Sequence, residues 1–343
     1  MKALVYEGPR QMNVREVELP VPQDDEVLIR VAYSGICGSE LSGYLGHNSL
    51  RRPPLIFGHE FAGVVEHVGP AAAAAFPQLG RGTRVTANPL VTCGHCAACV
   101  RGKQQLCASR KLLSASLPGS NAEFVAAPAR CVYALPANVT LEQGTFVEPF
   151  ACGVRAAELA EAKPGQSALV IGLGPIGLFA LQALQAYGVS RIVAVDRNPQ
   201  RLDMAAELGA IPLDPSATPD VLQEVLRLTG GTGADIAIDA VGASTTRTQC
   251  IESVAFGGRV IFTGLHEADS SLPVNHIVRR EIACIGAFAY STANFRTALD
   301  WIAEGRVRLD ESWIVKAPLE EASHWYEALL GNPGKVAKVL LHP

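Results

Sequence analysis

No apolar run in this sequence approaches the roughly 18 residues that a membrane-spanning helix needs. The N-terminal Met1-Lys-Ala-Leu-Val-Tyr-Glu turns polar and acidic too early for a secretory signal. Neither charge sign dominates: the net charge of −4 offers nothing to draw nucleic acid or an anionic membrane. No internal repeat is present. The nine cysteines are odd in number, and four of them crowd together, which fits no disulfide framework and suits a reducing compartment. A cytoplasmic protein with a small-molecule partner is therefore expected. With 48% apolar and 18% charged residues the composition is globular. The 343 residues suffice for two domains with full cores.

The crowded cysteines are Cys93, Cys96, Cys99 and Cys107, four thiols within fifteen residues. Tight loops at that spacing turn four sulfurs toward one point, and Zn²⁺ favours a closed shell of four thiolates in structural sites. The competing reading, free or paired cysteines in a loop, does not account for the regular spacing.

Residues 1 to about 150 read as mostly β. Runs such as Glu26-Val-Leu-Ile-Arg-Val-Ala and Ala62-Gly-Val-Val-Glu-His-Val are bounded by Gly and Pro, as a folded-over barrel with long loops requires. The alanine run Ala71 to Ala75, between Pro70 and Pro77, is either a helical turn or a surface loop, and the loop is the expectation. After Pro149 the texture changes. Strands apolar on both faces (Ala168-Leu-Val-Ile, Arg191-Ile-Val-Ala-Val, Asp235-Ile-Ala-Ile, Arg259-Val-Ile-Phe-Thr) alternate with helical runs at Ile176 to Tyr187 and Pro199 to Leu208. That alternation indicates a parallel sheet covered on both sides. It fades near residue 287, and the remainder returns to mixed elements.

Gly172-Leu-Gly174-Pro175-Ile176-Gly177 follows the first parallel strand and opens a helix. The first glycine permits the tight turn, the second lets a pyrophosphate approach the backbone, and the third lets helix and strand pack closely. The helix N-terminus adds unpaired N–H groups and positive dipole. Asp196 ends the next strand, 19 residues after Gly177. A carboxylate there accepts hydrogen bonds from ribose hydroxyls and repels a 2′-phosphate, which favours NAD over NADP. Arg197, the next residue, weakens that preference slightly.

A second set of ligand types lies outside the cysteine cluster: Cys37 in Gly35-Ile-Cys-Gly-Ser39-Glu40, His59 and Glu60 in Gly58-His-Glu-Phe-Ala-Gly, and Glu148 in Phe146-Val-Glu-Pro-Phe. Each alone has an ordinary structural explanation. Together, beside a dinucleotide fingerprint, one thiolate, one imidazole and carboxylates make a zinc site with room for water or substrate. Cys37, His59 and Glu60 form the firmer trio, because His59 and Glu60 are adjacent at one strand end. Glu148 is direct or water-bridged.

These motifs resemble the zinc-dependent medium-chain dehydrogenase/reductase family, closest to its sorbitol and polyol dehydrogenase branch. The resemblance covers essentially the whole chain. It implies an α/β architecture: a GroES-like β-barrel catalytic domain over 1–152, completed by 288–343, and a Rossmann doubly wound parallel-sheet domain over 153–287. It places the active site in the cleft between them. It implies NAD and two Zn²⁺ per chain, one catalytic and one structural, and a homodimer or homotetramer. By the same resemblance Ser39 takes the substrate's hydroxyl proton, Arg201 lies by the adenosine ribose, and Val241, Thr263, Gly264 and Leu265 join the cofactor contacts.

The chain also departs from that pattern. Where many relatives carry a relay histidine, five residues after the zinc cysteine, Ser42 stands, and His47 or water is left to substitute. The Arg-Tyr pair of polyol dehydrogenases reads Phe288-Ala289-Tyr290 here, without the arginine. Cys152 is expected on the nicotinamide side or as a small buried residue. The expected activity is hydride transfer between NAD and a secondary alcohol of a polyol, sugar or sugar-phosphate-like compound. Threonine-type hydroxy amino acid oxidation is the alternative. A non-catalytic zinc- and NAD-binding protein is disfavoured by the intact ligand set, and a zinc-free reductase by the complete cysteine lobe.

Overall fold

A computed structural model describes residues 1–218 and 220–343. The chain divides into two compact units, Met1–Glu148 with Ser291–Gly305 and Leu309–Pro343, and Pro149–Tyr290 with Arg306–Arg308.

The first unit is built on a seven-stranded sheet. In spatial order its main path runs Val132–Ala134, Arg84–Ala87, Glu60–Val68, Glu26–Gly35, Lys338–His342 and Ile314–Pro318, with Phe124–Pro128 also pairing Glu26–Gly35. Strand Glu26–Gly35 forms because β-branched residues alternate along it: Val27, Ile29 and Val31 enter one core with Val65, Val85 and Val125, while Arg30 faces solvent. Its neighbour Glu60–Val68 runs antiparallel, with Gly35 opposite Glu60. The C-terminal strand Lys338–His342 then pairs with the other edge of the same strand, Leu340 opposite Gly35. Three segments distant in sequence thus meet at one rung.

The alanine run departs from the sequence expectation. Pro70–Ala75 is a short helix rather than a loop. Proline at its first turn presets the helical φ, alanine has the highest helix propensity, and Ala72 is buried against the barrel core.

The second unit holds a six-stranded, wholly parallel sheet in the order Ile211–Leu213, Arg191–Val195, Ser167–Ile171, Ala234–Asp239, Val254–Phe262, Ala283–Gly286. Numbered along the chain this is 3-2-1-4-5-6, the order of dinucleotide-binding sheets, whose ligands lie at the carboxyl ends of the strands where the order reverses. Ser167–Ile171 sits at that reversal and is buried over nearly its whole length. Helix Pro175–Ala186 follows, with Gly174 as its N-cap and Pro175 in its first turn. Among the described residues no helix is long and apolar enough to cross a membrane.

The three glycines of the turn carry different loads. Gly172 has φ +92°, the left-handed region. A Cβ at Gly177 would run into the Gly172 carbonyl, whereas one at Gly174 would meet no atom within 4 Å. Gly177→Ala should therefore destabilise the protein by about 1–3 kcal/mol or more, as an overpacked core does. Gly174→Ala should leave stability unchanged. Denaturant melts of the two variants check the contrast.

Candidate active site

Strand geometry assembles the first cluster. Cys37 follows the end of Glu26–Gly35 and caps the short helix Gly38–Tyr44. Glu60 opens the antiparallel neighbour, and His59 immediately precedes it. The ligand atoms of Cys37, His59 and Glu60 consequently all lie within 4.8 Å of one another, with His59 and Glu60 buried. Glu148, in the first turn of helix Val147–Leu159, is buried but does not enter that group.

Two residues to which the sequence reading gave no role hold the cluster. Glu40 is fully buried, and its Oε1 accepts from His59 Nδ1 at 2.7 Å, Ser114 Oγ at 2.7 Å and the Gly58 N–H at 2.9 Å. The Tyr326 hydroxyl donates to its Oε2 at 3.3 Å. Burial would raise the Glu40 carboxyl, but His59, Arg51 and the Ser114 bond outweigh it and bring it down to about 2. With Nδ1 held by Glu40, the other nitrogen of His59 is left for the cluster. Burial lowers His59, yet the charges of Glu40 and Cys37 prevail and raise it well above its ordinary value.

Lys338 is the second. It is 3% exposed, and its Nζ donates to Glu60 Oε2 at 2.6 Å and to the Ile36 carbonyl at 3.1 Å. Gly35 makes this crossing possible, since a Cβ there would occupy the place of Glu60 Oε2. The Glu60 charge, with help from Cys37 and Glu148, overrides burial and raises the Lys338 ammonium. Glu60 Oε1 is buried with no hydrogen-bond partner. An orphaned carboxylate oxygen beside a thiol and an imidazole is the donor set a zinc ion fits. No spacing rule pointed to Lys338, 278 residues from Glu60. Glu40 had one signal, its place three residues after Cys37.

Ser39 is exposed; its Oγ donates to Cys37 Sγ at 3.4 Å and accepts from Arg51 Nη2 at 3.1 Å. His47 is exposed and Ser42 half-buried, and neither makes a side-chain hydrogen bond to Ser39 among the described residues.

The second cluster is local. Cys93, Cys96, Cys99 and Cys107 surround the short helix Ala97–Val100 and the turn Gln104–Leu106. Sulfur separations are 3.6 Å (Cys96–Cys99 and Cys93–Cys107) and 4.0 Å (Cys93–Cys99). A tetrahedron with zinc–sulfur arms of about 2.3 Å has edges of about 3.8 Å, so the four sulfurs fit that ion. The Cys99 N–H draws the Cys96 thiol down to about 6, while burial pushes Cys99 up to about 11.

In the second unit Asp196, just past strand Arg191–Val195, accepts the Leu173 N–H on Oδ2 at 2.6 Å and the Asn198 N–H on Oδ1 at 2.8 Å. It thus fastens the glycine turn as well as ending the strand. Arg201 Nη1 is 3.9 Å from its Oδ2, and Arg197 is exposed. Pro175 and Ile176 are half-buried at the helix start. A Cβ at Gly172 would press on Val241, and Gly242 and Gly264 are packed backbone to backbone. Thr263 and Gly264 both donate to the Asp239 carbonyl, and Leu265 is 84% exposed. Cys152 is half-buried, Phe288 is exposed and Tyr290 is buried.

A dinucleotide-type sheet in one unit and two zinc-fitting clusters in the other define a zinc-containing, nicotinamide-linked dehydrogenase. Comparison with known proteins gives the family. The pattern of the family "Zinc-binding dehydrogenase" matches residues 175–304, and that of "Alcohol dehydrogenase GroES-like domain" matches residues 23–137. Sorbitol dehydrogenase of Bacillus subtilis strain 168 is 31% identical over 350 residues, spanning 100% of this chain and 97% of its own. The crystal structure of 2R,3R-butanediol dehydrogenase from Bacillus subtilis superposes with a TM-score of 0.91 at 30% identity, covering 100% of this chain and 99% of that one. An alcohol dehydrogenase from E. coli CFT073 complexed with NADH superposes at 0.92 and 28% identity, covering 100% and 99%. The chain belongs to the zinc-dependent medium-chain dehydrogenase/reductase family, in its polyol dehydrogenase-like branch. It is an oxidoreductase of CH–OH groups that uses zinc and a nicotinamide cofactor.

The Lys338–Glu60 pair yields a stability test. In zinc-free protein Lys338→Met should cost about 3–5 kcal/mol, because it strands a buried carboxylate. Adding Glu60→Gln should recover much of that loss. Denaturant midpoints of the single and double variants decide it.

Proposed function

We propose that this chain oxidises a secondary alcohol of a polyol, sugar or sugar-phosphate-like compound with NAD. The single observation carrying the reading is the Cys37–His59–Glu60 cluster with its buried, unpartnered Glu60 oxygen. Similarity to sorbitol and butanediol dehydrogenases supports the substrate class.

In this reading Cys37, His59 and Glu60 hold the catalytic zinc, with Glu148 direct or water-bridged. Zinc there supplies a Lewis acid that makes a bound hydroxyl more acidic, and the nicotinamide supplies the hydride acceptor. Glu40 fixes the His59 ring, as the carboxylate partners of metal-bound histidines do. Lys338 restrains one Glu60 oxygen and leaves the other for the ion. Ser39, exposed beside Cys37, takes the substrate's hydroxyl proton. Gly172, Gly174 and the start of helix Pro175–Ala186 receive the pyrophosphate. Asp196, Arg201, Val241, Thr263, Gly264 and Leu265 bind the remainder, with Arg197 alongside. The four-cysteine lobe holds a second, structural zinc with no open position. The open edge of strand Ala283–Gly286 suits assembly into a homodimer or homotetramer.

A screen of NAD⁺ reduction across polyols, sugar phosphates and hydroxy amino acids tests the activity. Turnover confined to hydroxy amino acids would move the assignment to the threonine-type branch. Metal analysis should return two zinc per chain. Cys37→Ala should keep one zinc and NAD binding while losing turnover, because the dinucleotide residues belong to the other unit. Equal loss of NAD affinity and rate would make the metal architectural.

Coenzyme choice is tested separately. Asp196→Ala should erode the preference for NAD over NADP by roughly tenfold or more, since like-charge contacts cost several kcal/mol. The ratio of catalytic efficiencies is the measurement, because this variant also loses the bonds to Leu173 and Asn198. A wild-type enzyme equally efficient with both coenzymes would refute the preference.

A further inference from the structure

Arg51 stands behind Ser39 as a buried cation whose charge also helps hold the Glu40 carboxyl down. It is 4% exposed, while Ser39 is exposed. Among the described residues it forms no ion pair, and its Nε is buried without a partner. Its guanidinium lies 5.6 Å above the ring of buried Phe57. Its stem passes Gly43 of helix Gly38–Tyr44, where a Cβ would collide with Arg51 Cδ. Glycine within a helix lowers stability relative to alanine, so room for this side chain is kept at a cost. What the buried cation reaches is Ser39 Oγ, at 3.1 Å.

We infer that Arg51 is a positioning residue for the Ser39 hydroxyl. The inference rests on the reading above, in which Ser39 meets the substrate hydroxyl. A serine hydroxyl has one proton and two acceptor lone pairs. Here the proton goes to Cys37 Sγ and one lone pair to Arg51, so one lone pair faces outward to accept. Arginine does not deprotonate in proteins. The path from Ser39 toward residues 42–52 therefore ends in a group that donates and passes no proton on. The outward lone pair is thereby held to accept a hydrogen bond from the substrate hydroxyl, and among the described residues Ser42 and His47 make no side-chain hydrogen bond to Ser39.

A double-mutant cycle tests this directly. Arg51→Gln should lower kcat for alcohol oxidation by about 10–100-fold, the scale of a misplaced reacting group, with KM for NAD unchanged. In a Ser39→Ala background it should cost nothing further. Arg51→Lys, which keeps charge and a donor, should recover part of the rate. Equal losses in both backgrounds would overturn the inference and leave Arg51 as a counter-charge for Glu40. If Arg51→Gln does not fold, Gly43→Ala, which pushes the stem aside, takes its place in the cycle. A readout independent of turnover is the Cys37 thiolate-to-metal absorption band of the cobalt-substituted protein, taken as the difference from Cys37→Ala. It should shift in Arg51→Gln as it does in Ser39→Ala. A band moved by Ser39→Ala and untouched by Arg51→Gln would also overturn the inference. If wild-type protein oxidises no alcohol, the proposed function fails by itself, and the cobalt band still reports whether Arg51 holds Ser39 on Cys37.

Discussion

The ion pair between Lys338 and Glu60 ties the site to the fold. It joins the last strand of the chain to the start of an early one across the side-chain-free rung at Gly35. A buried carboxylate is costly without a counter-charge, and a buried ammonium equally so. Each makes the other tolerable, and both sit where Cys37 and His59 also converge. The final strand therefore extends the sheet beyond Glu26–Gly35 and neutralises part of the site in one contact. It leaves one buried Glu60 oxygen without a hydrogen-bond partner, the oxygen that the proposed reading gives to zinc.

The two cysteine-bearing clusters follow different physical rules. Cys93, Cys96, Cys99 and Cys107 are gathered by a short helix and a turn within fifteen residues, so local geometry suffices. The Cys37 cluster depends on strand pairing, on Glu40 behind His59 and on a lysine from the other end of the chain. The first is closed by four similar donors. The second mixes donor types and holds each from behind, the arrangement expected where ligand orientation tunes a metal. Asp196 shows the same economy in the second unit: the carboxylate that suits a ribose also fastens the glycine turn through Leu173.

Much of this was legible beforehand. The alternation of apolar strands and helices after Pro149 appears as the parallel sheet, because strands buried on both faces must be apolar throughout. The glycine turn sits between the central strand and its helix. The alanine run is the exception: of loop and helical turn, the structure shows the helix, because proline starts it and alanine continues it. The family resemblance puts Ser42 at the place of a relay histidine, with His47 or water to substitute. The chain folds back through residues 48–52 and sets Arg51 beside Ser39.

By itself the sequence determined the elements whose causes are local: the periodicity of strands and helices, the tight glycine turn, the thiol spacing of the lobe and the donor types at Cys37, His59 and Glu60. Tertiary structure alone decided which groups stand behind those donors. Lys338, Glu40, Tyr326 and Arg51 reach them through sheet register, burial and the space left by Gly35 and Gly43. Apart from Glu40, three residues after Cys37, none of these depends on spacing along the chain. A buried charge takes its meaning from what surrounds it, and those surroundings exist only once distant strands have paired.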